Sequence, residues 1–129
     1  MMISEVSGKF GISLDTLRYY ERIGLIPRIT RNDRGQREYT EEDCQLIQGI
    51  LYFREAGMSI ELLLEYMKMV HQGDETIQTR KELLIEQRDK LVERINELQK
   101  PLELLNRKIE NYERSVVLNE KKMKRNIED

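Results

Sequence analysis

The chain has 129 residues, of which 36% are charged and 6% aromatic, with no Trp and one Cys. That composition favours a helical protein with much solvated surface, and it excludes an internal disulfide framework or a zinc cage built from one chain. A formal net charge of -2 gives no global attraction for nucleic acid, so any basic surface has to be local.

Ser4 can cap a first short helix carrying Val6 and Phe10, which Gly11 closes. Ser13 caps a second helix over 14–22, with Asp15 favourably placed in its first turn. Two helices around a glycine turn make the helix-turn-helix pattern. Leu14, Leu17 and Ile23 are expected to point inward, and Thr16, Arg18, Tyr19 and Arg22 to share an outward arc.

After Pro27 the chain turns polar and irregular. Arg28, Arg31, Arg34 and Arg37 stand against a single Asp33, and Asn32-Asp33-Arg34-Gly35 is a hairpin-turn signal. Two short arms, over 28–31 and 37–39, are expected to form a basic β-ribbon, a wing.

Thr40-Glu41-Glu42-Asp43 is a capping box opening a third helix that ends at Gly57, with Leu46, Ile47, Ile50, Leu51 and Phe53 on one face. Ser59 caps a fourth over 60–71, striped by Ile60, Leu63, Leu64, Met67 and Val70. Gly73-Asp74-Glu75 is the best boundary. It divides a winged helix-turn-helix head over 1–72 from a coil over 76–119 and a charged tail over 120–129.

In the coil, Ile77, Leu84, Leu91, Leu98, Leu105 and Tyr112 recur every seven residues, and Ile95, Leu102, Ile109 and Val116 form the second register. These are the d and a positions of a coiled coil. One helix over 79–119 would be roughly 60 Å long. Pro101 inside it removes a backbone bond at a cost of about 3 kcal/mol, so a kink or break is expected there. The nearly all-charged tail is expected to fray. Leu84, Leu91, Ile95, Leu98, Leu102, Leu105, Ile109 and Tyr112 are the candidate dimerisation residues, because a solitary helix would expose them all to water.

The grouping Arg18-Tyr19-Tyr20-Glu21-Arg22 has two readings. Arginine and tyrosine donate readily to phosphate oxygens, which suits a helix lying on DNA. An amphipathic helix with its tyrosines half in the core is the alternative, and the basic wing directly downstream favours DNA. Cys44 lies in the first turn of the third helix, where the dipole lowers a thiol pKa while Glu41, Glu42 and Asp43 oppose it. A redox sensor and a buried, inert thiol both remain open. His71 reads as a helix-terminal surface residue with no ligating companion. Met58, Met67 and Met69 suit adaptable packing beside the coil, or a small apolar effector pocket. There is no phosphate-cradling glycine loop and no paired catalytic constellation, so neither enzyme activity, a cofactor nor a bound metal is expected. With no run of ~18 apolar residues, as a membrane span needs, and no apolar run of signal-peptide length, the expected location is cytoplasmic.

Gly11-Ile12-Ser13, Thr16 through Glu21, Gly24-Leu25-Ile26-Pro27, Arg34 through Tyr39 and Arg54 through Ile60 together resemble the MerR family of bacterial transcriptional regulators, in order and at the family's spacing. The resemblance implies a mainly α protein: a winged helix-turn-helix head followed by a long helix that forms an antiparallel coiled coil in a homodimer. It further implies double-stranded promoter DNA as partner, bent and untwisted so that RNA polymerase engages both promoter elements, the polymerase being an indirect partner. Ser13, Thr16, Arg18 and Tyr19 then fall at the recognition helix, Tyr20 and Arg22 at the DNA backbone, and Arg34, Gly35, Arg37 and Tyr39 on the wing.

The stretch from Gly73 to Leu84 is similar to the branch that answers aldehydes and other thiol-reactive stress. That branch's reactive cysteine aligns with Tyr52, and Cys44 lies eight residues earlier. The chain is expected to lack a separate drug-binding domain and the cysteines of the metal-responsive members. An effector-independent architectural repressor, or a coiled-coil interaction module without DNA binding, are the rival readings.

Overall fold

A computed structural model describes residues 1–112, 114 and 117–128, with side chains to position 124. The elements in order are α1 (Ile3–Phe10), α2 (Leu14–Arg22), α3 (Glu41–Glu55), α4 (Ile60–Gln72), a 3-10 turn (Asp74–Thr76), α5 (Ile77–Glu110) and α6 (Val117–Glu128). They divide into two compact units, Met1–Arg88 and Asp89–Asp129.

Local chemistry starts the helices of the first unit. The Ser13 hydroxyl accepts from Thr16 N at 3.1 Å, and the Ser59 hydroxyl from Leu62 N at 3.1 Å. At α3 the box is reciprocal: Asp43 N donates to Thr40 Oγ1 at 3.1 Å and Thr40 N to Asp43 Oδ2 at 2.9 Å. Gly11, at φ 65, closes α1 in the left-handed region that a side chain disfavours. The Ser7 hydroxyl ties the turn down by donating to Ile12 O at 2.6 Å.

Val6 of α1, Leu17 and Tyr20 of α2, Leu25, Ile26 and Ile29 of the following loop, Ile47 and Ile50 of α3, Met58 and Leu63 make the core. Each large apolar side chain so buried contributes about 1.5–3 kcal/mol of transfer free energy. Leu14, expected inward, is 36% exposed. It sits at the first position of α2, before the helix has turned its apolar face onto α1.

The wing is slighter than a ribbon. Among the described residues it consists of two isolated antiparallel bridges, Arg31 with Arg37 and Met2 with Glu38. The arms stay short because Ile29 and Tyr39, at their outer ends, are drawn into the core. The turn is nonetheless well tied: Asn32 Oδ1 accepts from Arg34 N at 2.9 Å and from Gln36 N at 3.0 Å, and Gly35 takes φ 76.

The first turns of α5 belong to the first unit, where Leu83 and Leu84 pack against the core. Thr76 fastens the elbow before them, donating to Met69 O at 2.7 Å, and Arg80 Nη2 reaches Gly73 O at 3.2 Å. Both therefore satisfy carbonyls at the C-terminal end of α4.

In the second unit, α5 continues through Pro101, so of the expected kink or break the break does not occur. Its neighbours there are exposed, so water can satisfy the carbonyl that proline leaves unpaired. The helix ends at Glu110 rather than near 119, with Asn111 donating to Arg107 O from both its backbone and side chain at 3.1 Å. Tyr112 lies beyond that end, and Val116 lies outside the described residues. The tail is helical over Val117–Glu128 rather than frayed, because Leu, Glu, Lys and Met are strong helix formers. Ile95, Leu98, Leu102, Leu105 and Ile109 are exposed along α5, Ile109 by 71%.

Candidate nucleic-acid interface

The candidate surface is built from α2 and the wing. The Ser13 cap starts α2, and the buried Leu17 and Tyr20 set its rotation, which leaves Arg18 and Arg22 exposed one turn apart on one face. Arg18 Nη1 lies 3.4 Å from Asp15 Oδ1, with side chains 47% and 98% exposed, so this pair orients the arginine weakly. The Arg22 guanidinium lies over the Tyr19 ring, 5.3 Å from its centroid, which stiffens a long side chain while leaving its N–H groups available. The Thr16 and Ser13 hydroxyls lie 2.8 Å apart and hydrogen-bond each other.

Arg37 is the joint between the two elements. Its Nε donates to Glu21 Oε1 at 2.8 Å, and both side chains are mostly buried, 21% and 13% exposed. The other wing arginines are freer. Arg31 Nη1 donates to Gly35 O at 3.0 Å, and Arg34 is exposed beside the exposed Gly35.

Two expected contact residues are largely buried. Tyr20 is 5% exposed and Tyr39 is 2% exposed, and both belong to the core cluster. Their rings are the apolar bulk on which α2 and the wing rest. The Tyr39 hydroxyl is enclosed with no hydrogen-bond partner. Burial pushes its pKa above the ordinary phenol value; Arg37 opposes that shift and Glu21 adds to it.

Cys44 is 8% exposed and packs in the same core. Among the described residues no group of three or more His, Cys, Asp and Glu is placed to hold a metal ion, and no helix is long and apolar enough to cross a membrane. Of the expected dimerisation residues, Leu84 has core partners within its own chain, whereas Ile95, Leu98, Leu102, Leu105 and Ile109 are exposed. Glu21 and Arg31 emerge with specific partners that sequence reasoning had not assigned. The opposite charges of Glu21 and Arg37 are 16 residues apart, a spacing that no helical or strand period singles out.

Comparison with known proteins agrees with this geometry. Residues 1–70 match the family described as MerR HTH family regulatory protein. The HTH-type transcriptional regulator AdhR of Bacillus subtilis is 47% identical over 93 residues, covering 72% of this chain and 66% of AdhR, just under two thirds of that relative's length. The crystal structure of a MerR family protein from Listeria monocytogenes superposes with TM-score 0.79 at 43% identity, covering 99% of this chain and 98% of that one. HiNmlR, described as a MerR family regulator lacking the sensor domain and bound to promoter DNA, superposes with TM-score 0.82 at 30% identity over 92% of this chain and 90% of its own.

Proposed function

The chain belongs to the MerR family of HTH regulatory proteins, and from that premise we propose that it binds promoter DNA as a homodimer. Each head places α2 in a major groove and the wing along the adjoining backbone. The observation that carries this reading is the Glu21–Arg37 ion pair at 2.8 Å, which holds the wing beside a recognition helix whose Arg18 and Arg22 face solvent. Arg18 meets a base edge or phosphate, and Arg22, Arg31 and Arg34 meet phosphates. The exposed stripe of α5 from Ile95 to Ile109 pairs with a second copy.

Two heads held at fixed spacing can bend and untwist the DNA between them, at a deformation cost of several kcal/mol that the added contacts offset. RNA polymerase then responds to promoter geometry, and the protein itself catalyses nothing. A cytoplasmic site of action follows from that partner. The family resemblance is the support for the distortion step, and the 30% identical HiNmlR is described as bound to promoter DNA.

Salt dependence of DNA binding tests the reading. With several phosphates neutralised per head, the logarithm of the association constant should fall against log salt with a slope near −0.9 per contact. A shallow slope, or no protection of any promoter fragment, would leave only a coiled-coil interaction module.

A further inference from the structure

Residues 73–84 join α4 to α5 and form no part of the α2 and wing surface or of the exposed stripe on α5. They are nonetheless closely bonded, all within the first unit. Gly73 sits at φ 95 and ψ -156, a region open essentially to glycine alone. Three donors converge on its carbonyl: Thr76 N at 3.1 Å, the Thr76 hydroxyl at 2.8 Å and Arg80 Nη2 at 3.2 Å. The same hydroxyl lies 2.7 Å from Met69 O, so its single proton is shared between two carbonyls. It also accepts from Arg80 Nε at 3.0 Å.

Thr76, Arg80 and Leu84 follow one another at four-residue spacing, which puts them on one side of the chain as it enters α5. Polar bonds tie that side to the C-terminal end of α4 at Thr76 and Arg80. Leu83 and Leu84 tie it to the core one turn later. A helix gripped at two successive levels, by bonds of different kinds, resists pivoting. α5 then runs as one helix of 34 residues, roughly 50 Å long. A rotation of about 5° at the elbow would displace the far end of such a helix by about 4 Å.

When two linked heads meet half-sites at a spacing that does not suit them, either the protein deforms or the DNA does. A slack joint leaves the deformation to the protein, and a stiff one passes it to the duplex. We propose that the Thr76–Arg80 clasp supplies this stiffness. It sets which half-site spacing the dimer accepts, and it makes the DNA take up the mismatch. Thr76 and Arg80 are thus positioning residues that touch no DNA themselves. The proposal rests on the DNA-binding reading above and adds to it a determinant of spacing.

Changing the spacing of the DNA tests it. A duplex selected by the wild-type protein from a random-sequence pool is remade with two base pairs inserted between its half-sites. The insertion turns one half-site by about a fifth of a helical turn. A duplex carrying one half-site is the control. Wild type should bind the lengthened duplex roughly hundredfold more weakly than the selected one, because both heads no longer engage together. Thr76→Val removes the hydroxyl at nearly constant shape, and Arg80→Ala removes both guanidinium bonds. Each should lose about tenfold or less on lengthening, with half-site affinity and sedimentation as in wild type. Fluorescence transfer between the ends of the selected duplex should report less bending with these variants. Thr76→Ser keeps the hydroxyl and should discriminate as wild type does. Gly73→Ala strains the backbone alone, since an added Cβ meets nothing within 4 Å. It should relax discrimination in the same way, and it decides the matter if the side-chain variants do not fold. If Thr76→Val and Arg80→Ala discriminate as strongly as wild type, or wild type ignores the insertion, the clasp does not set spacing. If wild type selects no duplex at all, the DNA-binding reading itself falls and this inference falls with it.

Discussion

Arg37 donates to Glu21 at 2.8 Å across 16 residues of sequence, joining the tip-side arm of the wing to the last turns of the recognition helix. Neither side chain is more than 21% exposed, so the pair is less screened than a surface bridge. Removing one partner leaves the other charge half-buried and frees the wing to swing. Glu21→Gln and Arg37→Gln should each weaken DNA binding, and the double variant should lose less than the sum. The cycle should show a coupling of about 0.5–3 kcal/mol. Strict additivity would show that the two residues act separately.

Tyr39→Phe separates a supporting role from a contacting one. The hydroxyl is enclosed and unpartnered, so deleting it should raise stability by about 1 kcal/mol and leave DNA affinity unchanged. There is also a pH consequence. Its folded pKa is raised above 10.0 by burial, so the folded state holds this proton more tightly than the unfolded state. The stability linked to it is fully present below pH 10 and is lost as pH rises through the higher folded pKa. The Tyr39→Phe variant should unfold less steeply than wild type above pH 10. A loss of operator affinity in Tyr39→Phe would instead make the hydroxyl a DNA contact.

Cys44 packs in the core at 8% exposure. A thiol so placed should react with an aromatic disulfide reagent far more slowly in the native protein than after unfolding in guanidinium. Cys44→Ala should keep wild-type DNA affinity. Rapid stoichiometric reaction of the native thiol, with release of DNA, would restore the sensor reading.

What the chain discloses locally and what it hides divide along physical lines. Ser13, Thr40 and Ser59 start helices where expected because a cap is a contact over three residues, and Asn32 to Gly35 turns because its side chain bonds the backbone two and four residues on. The burial of Tyr20 and Tyr39 was not legible. Each carries a polar tip, and only the packing of α1, α2 and the wing together decides which aromatic of the Tyr19-Tyr20 pair turns inward. The Glu21–Arg37 pair was hidden for the same reason, since it exists only once the wing folds back on α2. Of the two outcomes expected at Pro101, a kink or a break, the break does not occur, because the continuity of α5 depends on the strong helix formers on both sides of it.

Leu98 tests the pairing of α5. It is 59% exposed in the single chain and lies at the centre of the heptad stripe. Leu98→Asp would place a charge in the seam of a dimer, where burial without a partner is costly. The variant should sediment as a monomer and lose specific DNA binding at the same time, since one head alone spans one half-site. A Leu98→Asp protein that stays dimeric would exclude this stripe as the interface.

Pro101 tests whether the same helix is held under strain. α5 runs unbroken from Ile77 to Glu110 with this proline inside it. The ring removes one backbone donor and crowds the carbonyl four residues earlier, at Glu97, a cost of about 3 kcal/mol in a helix interior. Pro101→Ala restores both the donor and the space, and alanine has the highest helix propensity. If the paired helices are otherwise unchanged, thermal unfolding at fixed protein concentration should move several degrees upward, and the dimer should dissociate at lower concentration than wild type. A fall in melting temperature would mean that the geometry proline imposes is needed by the dimer, and that straightening α5 separates the residues on either side of it from their partners.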